Sequence, residues 1–332
     1  MMEIKKILVP TDFSEEAIFA YTHAQDLASH FGAKVDLIHI VPTLRYFSES
    51  ISKLGVPLDM DEDLYPHVKD GASHRLKSLM DDYLKEDNKG EAIVRIERKP
   101  SKAITDYAAE NGYDLIVMAA RGEHSSDLLR GSITEKVIRH SSVPVFTVDN
   151  RLKAGGIKRI LLPTDASLLS FKCLPMVLTL ANIYDAEITL FHVRGLYGSL
   201  SESMKRRPGN TDESDIYESI IEKLGAHLKS NKLQNIEIKR GDRKMEDELV
   251  VTGNSSSKNF PLHTVIEKGL SAHYEIENYA PSHSDLIVMT THGHSGLAHF
   301  FLGSTTEKVA LHVDMPVLTF KPPKEELEQA TS

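Results

Sequence analysis

Ile7-Leu8-Val9-Pro10-Thr11-Asp12-Phe13-Ser14 returns in the second half of the chain as Ile160-Leu161-Leu162-Pro163-Thr164-Asp165-Ala166-Ser167. Beyond this pair, Asp114-Leu115-Ile116-Val117-Met118 returns as Asp285-Leu286-Ile287-Val288-Met289. Gly131-Ser132-Ile133-Thr134-Glu135-Lys136-Val137 returns as Gly303-Ser304-Thr305-Thr306-Glu307-Lys308-Val309, and Val143-Pro144-Val145 as Met315-Pro316-Val317. Four matches kept in one order mean a single domain written twice. The copies are expected at residues 1–150 and 156–322, with a polar link between them and a charged tail at 323–332. The length of 332 residues suits two domains of ordinary size.

Each copy alternates strand-like and helix-like patterns. In the first, 7–10 is a short apolar run, and 15–31 places Ala17, Ala20, Tyr21, Ala24, Leu27 and Ala28 at helical spacing. Strands are expected over 34–41, 92–96, 115–118 and 143–148, and helices around 74–84, 101–110 and 134–140. Fully apolar strands separated by helices imply a parallel sheet covered on both faces. The fold class is therefore α/β, two tandem doubly wound five-stranded parallel-sheet domains, flavodoxin/Rossmann-like. Two inserts break the symmetry, 42–65 with the acidic Asp59-Met60-Asp61-Glu62-Asp63, and 239–259, rich in Gly, Ser and charge. Both read as solvated surface loops, with a lid or docking segment as the alternative.

Composition excludes several classes. Hydrophobic residues at 41% and charged residues at 26% describe an ordinary globular chain. Lys plus Arg total 39 against 48 Asp plus Glu, a net charge of −9, which argues against nucleic-acid partners. Cys173 alone excludes an internal disulfide and reads as a core thiol in the helical stretch 171–180. No apolar run approaches a bilayer span, and the opening residues are too short in apolar length for a signal peptide, so a cytoplasmic location and no membrane partner are expected.

Ligands of doubly wound sheets sit beyond the carboxyl ends of the strands, where strand order reverses. Asp12 and Asp165 follow such strands, each within Pro-Thr-Asp (Pro10, Thr11; Pro163, Thr164). Either carboxylate can accept a hydrogen bond from a base or a ribose hydroxyl, or it can cap the following helix. After Met289, the second copy runs Thr290-Thr291-His292-Gly293-His294-Ser295-Gly296 and on to Gly303-Ser304. Glycines let main-chain amides flanking Gly293 and Gly303 approach an anion, and a helix opening at Ser304 favours negative charge. Ser304 can donate its hydroxyl to phosphate, or serve as an N-cap. His292, His294 and His299, with His312 beyond, lack a familiar zinc spacing, so no metal is expected.

Both copies resemble the universal stress protein family, and the whole chain resembles a tandem member. The resemblance implies an adenine-nucleotide alpha-hydrolase-like fold. In the family's nucleotide-binding branch, G-x2-G-x9-G-[S/T] follows the fourth strand and cradles ATP phosphates. The resemblance puts Asp165 with Val193, and Asp12 with Ile40, on the adenine and ribose side. Met289, Thr290, His292, Gly293, Gly303, Ser304 and Thr305 would complete the second site; Met118, Ala119, Gly122, Gly131 and Ser132 would complete the first. Thr290 and Ala119 replace the first glycine of the motif. The first loop is one residue short and carries Glu123, which would repel a triphosphate. ATP or a related adenine nucleotide, with or without Mg²⁺, is thus expected in the second copy ahead of the first. The expected role is a nucleotide-responsive stress regulator. The alternatives are a slow ATPase, disfavoured by the lack of a Walker Gly-Lys-[Ser/Thr], and a ligand-free dimerisation scaffold. Family members pair through their last strands, which implies an internal pseudo-dimer of the two copies and leaves a further homodimer open.

Overall fold

A computed structural model describes residues 2–43, 65–120, 132–150, 156–195, 212–230, 233, 235–253, 257–291 and 303–322. The chain divides into two units, Glu3–Leu152 and Lys153–Ser332, the latter also taking Met1–Met2.

In the first unit the apolar run of β1 (Lys6–Pro10) is buried on both sides, with Ile7, Leu8 and Val9 fully inaccessible. Helix α1 (Ala17–Phe31) buries the expected face together with His23. It stops where Gly32, at φ 67°, turns left-handed and donates its N–H to Ala28 O. Strand β2 (Lys34–Pro42), α2 (Tyr65–Tyr83), β3 (Lys89–Glu97), α3 (Pro100–Glu110), β4 (Leu115–Ala119), α4 (Ser132–His140) and β5 (Val145–Val148) follow. All pairings are parallel, in the order β3-β2-β1-β4-β5. Strand order therefore reverses between β1 and β4, beside Pro10 and Ala119.

The second unit repeats this plan with β6 (Arg159–Pro163), α5 (Leu174–Tyr184), β7 (Glu187–Gly195) and α6 (Glu213–Ser230). After the added strands β8 (Ile236–Arg240) and β9 (Glu246–Thr252) come β10 (Ser257–Gly269), α7 (Ala272–His283), β11 (Leu286–Thr290), α8 (Ser304–His312) and β12 (Val317–Phe320). Its five parallel strands run β12-β11-β6-β7-β10, and β9 and β8 extend the sheet antiparallel. The reading of 239–259 as a surface loop is thus corrected: most of it is strand. Asp247, Leu249 and Val251 alternate inward while Glu246, Glu248 and Thr252 do not. The buried Asp247 disguises that alternation, and Tyr217 satisfies it by donating its hydroxyl at 2.7 Å. The counterpart insert, 42–65, lies outside the described residues except at its two ends.

Repeated residues also hold the amino ends of the sheets. Asp114 accepts the N–H groups of Lys5 and Lys6 at 2.7 and 3.0 Å, and Asp285 those of Lys158 and Arg159 at 3.1 and 3.0 Å. The aspartate of the repeated Asp-Leu-Ile-Val-Met therefore registers β4 on β1 and β11 on β6, at the end away from the binding edge. Cys173 is fully buried, and burial pushes its thiol up to about 12, as befits a core position. Among the described residues no helix is long and apolar enough to cross a membrane.

Candidate functional site

At the carboxyl end of β6 the chain makes a turn that the side chains themselves build. Thr164 Oγ1 accepts the N–H of Ala166 at 3.0 Å and shares a 2.7 Å hydrogen bond with Ser170 Oγ. Asp165 Oδ1 accepts the N–H of Ser167 at 2.9 Å. These bonds hold Ala166 at φ 59°, a left-handed conformation costly for a residue with a Cβ. The first unit repeats the device: Phe13 sits at φ 68°, its N–H donated to Thr11 Oγ1 at 3.0 Å, and Asp12 Oδ1 accepts from Ser14 N–H at 3.1 Å. Neither aspartate caps the next helix. The N-cap of α1 is Glu16 and that of α5 is Cys173, both without a side-chain capping bond. Both carboxylates are exposed at the sheet edge.

Beside Asp165 opens a cavity of about 360 Å³ at the strand-order reversal of the second unit. Pro163, Thr164 and Asp165 form one side, and Val193 on β7 with Met289 and Thr290 on β11 form the floor. Gly303, Ser304 and Thr305, where α8 starts, close the other side. Gly303 is the N-cap, so Ser304 occupies the first helical turn rather than the cap position. Gly303 donates its own N–H to Thr291 O at 2.7 Å, and an added Cβ would come within 3.1 Å of that oxygen. The expectation that amides flanking Gly303 face an anion therefore shifts to the N–H groups that follow it, which have no intrahelical acceptor. Thr306 Oγ1 donates to Thr290 O at 2.8 Å, tying the helix start to the end of β11. His292 and Gly293 lie outside the described residues.

In the first unit the described residues leave a cavity beside the other Pro-Thr-Asp aspartate. The cavity at Asp12, about 340 Å³, is lined by Phe13, Ser14, Glu15, Glu16 and Arg75. Ile40, Met118, Ala119 and Ser132 do not line it, although Ser132 opens α4 as Ser304 opens α8. The guanidinium of Arg75 lies 4.5 Å over the Phe13 ring and donates to Phe13 O at 3.3 Å. Gly122 and Gly131 lie outside the described residues.

Ser170, Phe191, His192, Ala272, Ile276 and Thr306 line the second cavity without having been singled out in the sequence. One signal was present: a histidine immediately precedes both Ile40 and Val193. Each donates Nδ1–H to the Pro-Thr-Asp threonine carbonyl at 2.8 Å, His39 to Thr11 O and His192 to Thr164 O. That bond fixes the tautomer, leaving Nε2 as the acceptor of the neutral ring. His312 Nδ1 lies 3.5 Å from Glu277 Oε1 on α7.

Burial holds His39 and His23 below the usual histidine range. A histidine kept neutral in the fold contributes stability above its unfolded value of about 6.5, and that contribution disappears as pH falls through this value toward the lower folded one. Urea midpoints of the full chain should therefore fall between pH 7.5 and 5. The double variant His23→Gln/His39→Asn should fall less; an equal fall would contradict the assignment.

The profile of the universal stress protein family matches the chain twice, over residues 3–149 and 156–321. Universal stress protein Slr1230 of Synechocystis is 24% identical over 332 residues, covering 96% of this chain and 100% of its own length. Universal stress protein MJ0577 of Methanocaldococcus jannaschii is 29% identical over 156 residues, 44% of this chain and 96% of its own. A solved universal stress protein from Archaeoglobus fulgidus superimposes with a TM-score of 0.56 at 18% identity, covering 97% of this chain and 98% of that one.

Proposed function

Since the chain belongs to the universal stress protein family, as a member carrying the domain twice, we propose that it binds ATP or a related adenine nucleotide in the cavity of its second unit and acts as a nucleotide-responsive regulator rather than a fast enzyme. The observation that carries this reading is the cavity of about 360 Å³ with a carboxylate on one side and a helix amino end on the other. Its size lies within the range of small-molecule sites. The polarity suits a nucleoside polyphosphate: Asp165 can accept from ribose hydroxyls or the base amino group, Val193, Met289 and Ile276 offer an apolar face to the base, and α8 with the Ser304 and Thr305 hydroxyls receives the anionic end. What the bound nucleotide supplies is charge at the start of α8. Thr306, bonded to Thr290 O, holds that start against β11, so binding tightens an element already fixed to the sheet. Regulation needs a bound nucleotide that favours one conformation of the chain over another.

The second unit is favoured over the first because its cavity joins the Pro-Thr-Asp turn, β7, β11 and the start of α8, whereas the cavity at Asp12 is lined by residues 12–16 and Arg75. The test is a thermal-shift titration of the full chain with ATP, ADP and AMP, together with mass spectrometry of small molecules released on denaturation. Saturating ATP at about a hundred times its dissociation constant should stabilise by about 2.7 kcal/mol. No shift with any nucleotide, and no nucleotide released, would leave the chain a ligand-free scaffold. Phosphate release on the order of 1 per second or faster would make it an enzyme.

A further inference from the structure

The inserted hairpin ends the sheet of the second unit on β8, which among the described residues pairs with β9 alone. The direction of its unpaired groups follows from the register. Thr252 donates its N–H to Asn235 O at 2.7 Å, and Ile236, Glu237, Ile238, Lys239 and Arg240 stand opposite Val251, Val250, Leu249, Glu248 and Asp247. In an antiparallel ladder, hydrogen-bonded pairs alternate with non-bonded ones. Glu237 and Lys239 therefore direct their main-chain groups to β9, while Ile236, Ile238 and Arg240 direct theirs outward. Ile236 gives its N–H to Leu233 O at 2.9 Å, leaving, among the described residues, the outward groups of Ile238 and Arg240 and the carbonyl of Ile236.

An open edge is a template for another strand, and this one is complementary to itself. Turned about a twofold axis through Ile238, β8 sets Ile238 opposite Ile238, Ile236 opposite Arg240, and Glu237 opposite Lys239. Each copy then gives its Ile238 N–H to the other's Ile238 carbonyl, and its Arg240 N–H to the other's Ile236 carbonyl. The Ile236 N–H already committed to Leu233 is not required. Glu237 meets Lys239 at non-bonded positions, where side chains approach most closely. Both are exposed. The existing contact of Lys239 with Glu248, at 3.1 Å, is a surface pair of little energy that leaves the ammonium able to take a second partner.

We propose that β8 is a homodimerisation edge, pairing antiparallel with β8 of a second copy of this chain about a twofold axis at Ile238. A closed twofold uses the same patch on both partners, and five residues per edge make the association weak and concentration-dependent.

Sedimentation equilibrium of the full chain, over about 1 µM to 1 mM, tests this with three proteins. The native chain should show a monomer–dimer equilibrium. Lys239→Glu places like charges opposite each other twice and should raise the dissociation constant roughly tenfold. Glu237→Lys/Lys239→Glu should restore the native value, because it re-forms both cross-pairs while keeping the same local repulsion between position 239 and Glu248. A monomer throughout the range overturns the proposal, as does a dimer indifferent to Lys239→Glu or one that the double exchange fails to restore. Circular dichroism of each variant confirms that the hairpin remains folded.

Discussion

Ser304→Asp is expected to weaken ATP binding by about a hundredfold while leaving the thermal midpoint of the nucleotide-free chain unchanged or slightly raised. The two effects part because one charge acts on two partners. An aspartate in the first turn of α8 lies at the positive end of the helix dipole, a favourable place for an anion in the empty protein. The same carboxylate would occupy the side of the cavity assigned to the phosphates, where it competes for the helix amides and repels the ligand. Isothermal titration for affinity and calorimetric scanning for stability read the two effects separately. A variant that binds ATP as the native chain does would move the phosphates away from α8. One that loses binding and stability together would show only a damaged fold.

Gly90→Ala should cost about 2–4 kcal/mol of stability in the first unit. A Cβ at this position, near the start of β3, would lie 1.8 Å from Asp36 Oδ1 and 2.9 Å from Val35 O. Asp36 has little freedom to yield. It is buried on β2, accepting the Glu91 N–H at 2.6 Å and the Tyr113 hydroxyl at 2.5 Å. Burial raises the tyrosine hydroxyl far above its ordinary range, so Tyr113 remains a donor and Asp36 its acceptor. Moving the carboxylate leaves a buried donor unpaired as well as a strained strand. Urea unfolding of the full chain, followed by hydrogen exchange of β2 and β3 amides, measures the loss. An unchanged midpoint would mean that the close approach relaxes without effect.

The repeat made the parallel core legible, because fully buried strands must be apolar and leave an unbroken pattern. Ile7–Val9 and Leu286–Met289 could hardly be read otherwise. The hairpin was not legible for the opposite reason: β8 and β9 are partly exposed, charged, and carry an inward aspartate whose tyrosine partner lies 30 residues away. The Pro-Thr-Asp turn was found as a motif, but its mechanism was not. Nothing local announces that the hydroxyls of Thr11 and Thr164 accept backbone N–H groups while their carbonyls accept from a histidine on the neighbouring strand. Gly303 was noticed for letting main-chain amides approach an anion, whereas the close neighbour of its Cα is the Thr291 carbonyl, 3.1 Å from any added Cβ.

Strand β10 links features described separately above. Its first half pairs antiparallel with β9 and its second half parallel with β7, in one run of 13 residues. At about 3.3 Å per residue it spans roughly 43 Å, from the hairpin to the start of α7, whose Ala272 and Ile276 wall the cavity. Hairpin and cavity wall are thus fastened to the two ends of one continuous beam. Should occupancy at one end change affinity at the other, thermodynamics requires equal influence in the reverse direction: crowding of this protein would tune its appetite for nucleotide, and nucleotide its sociability.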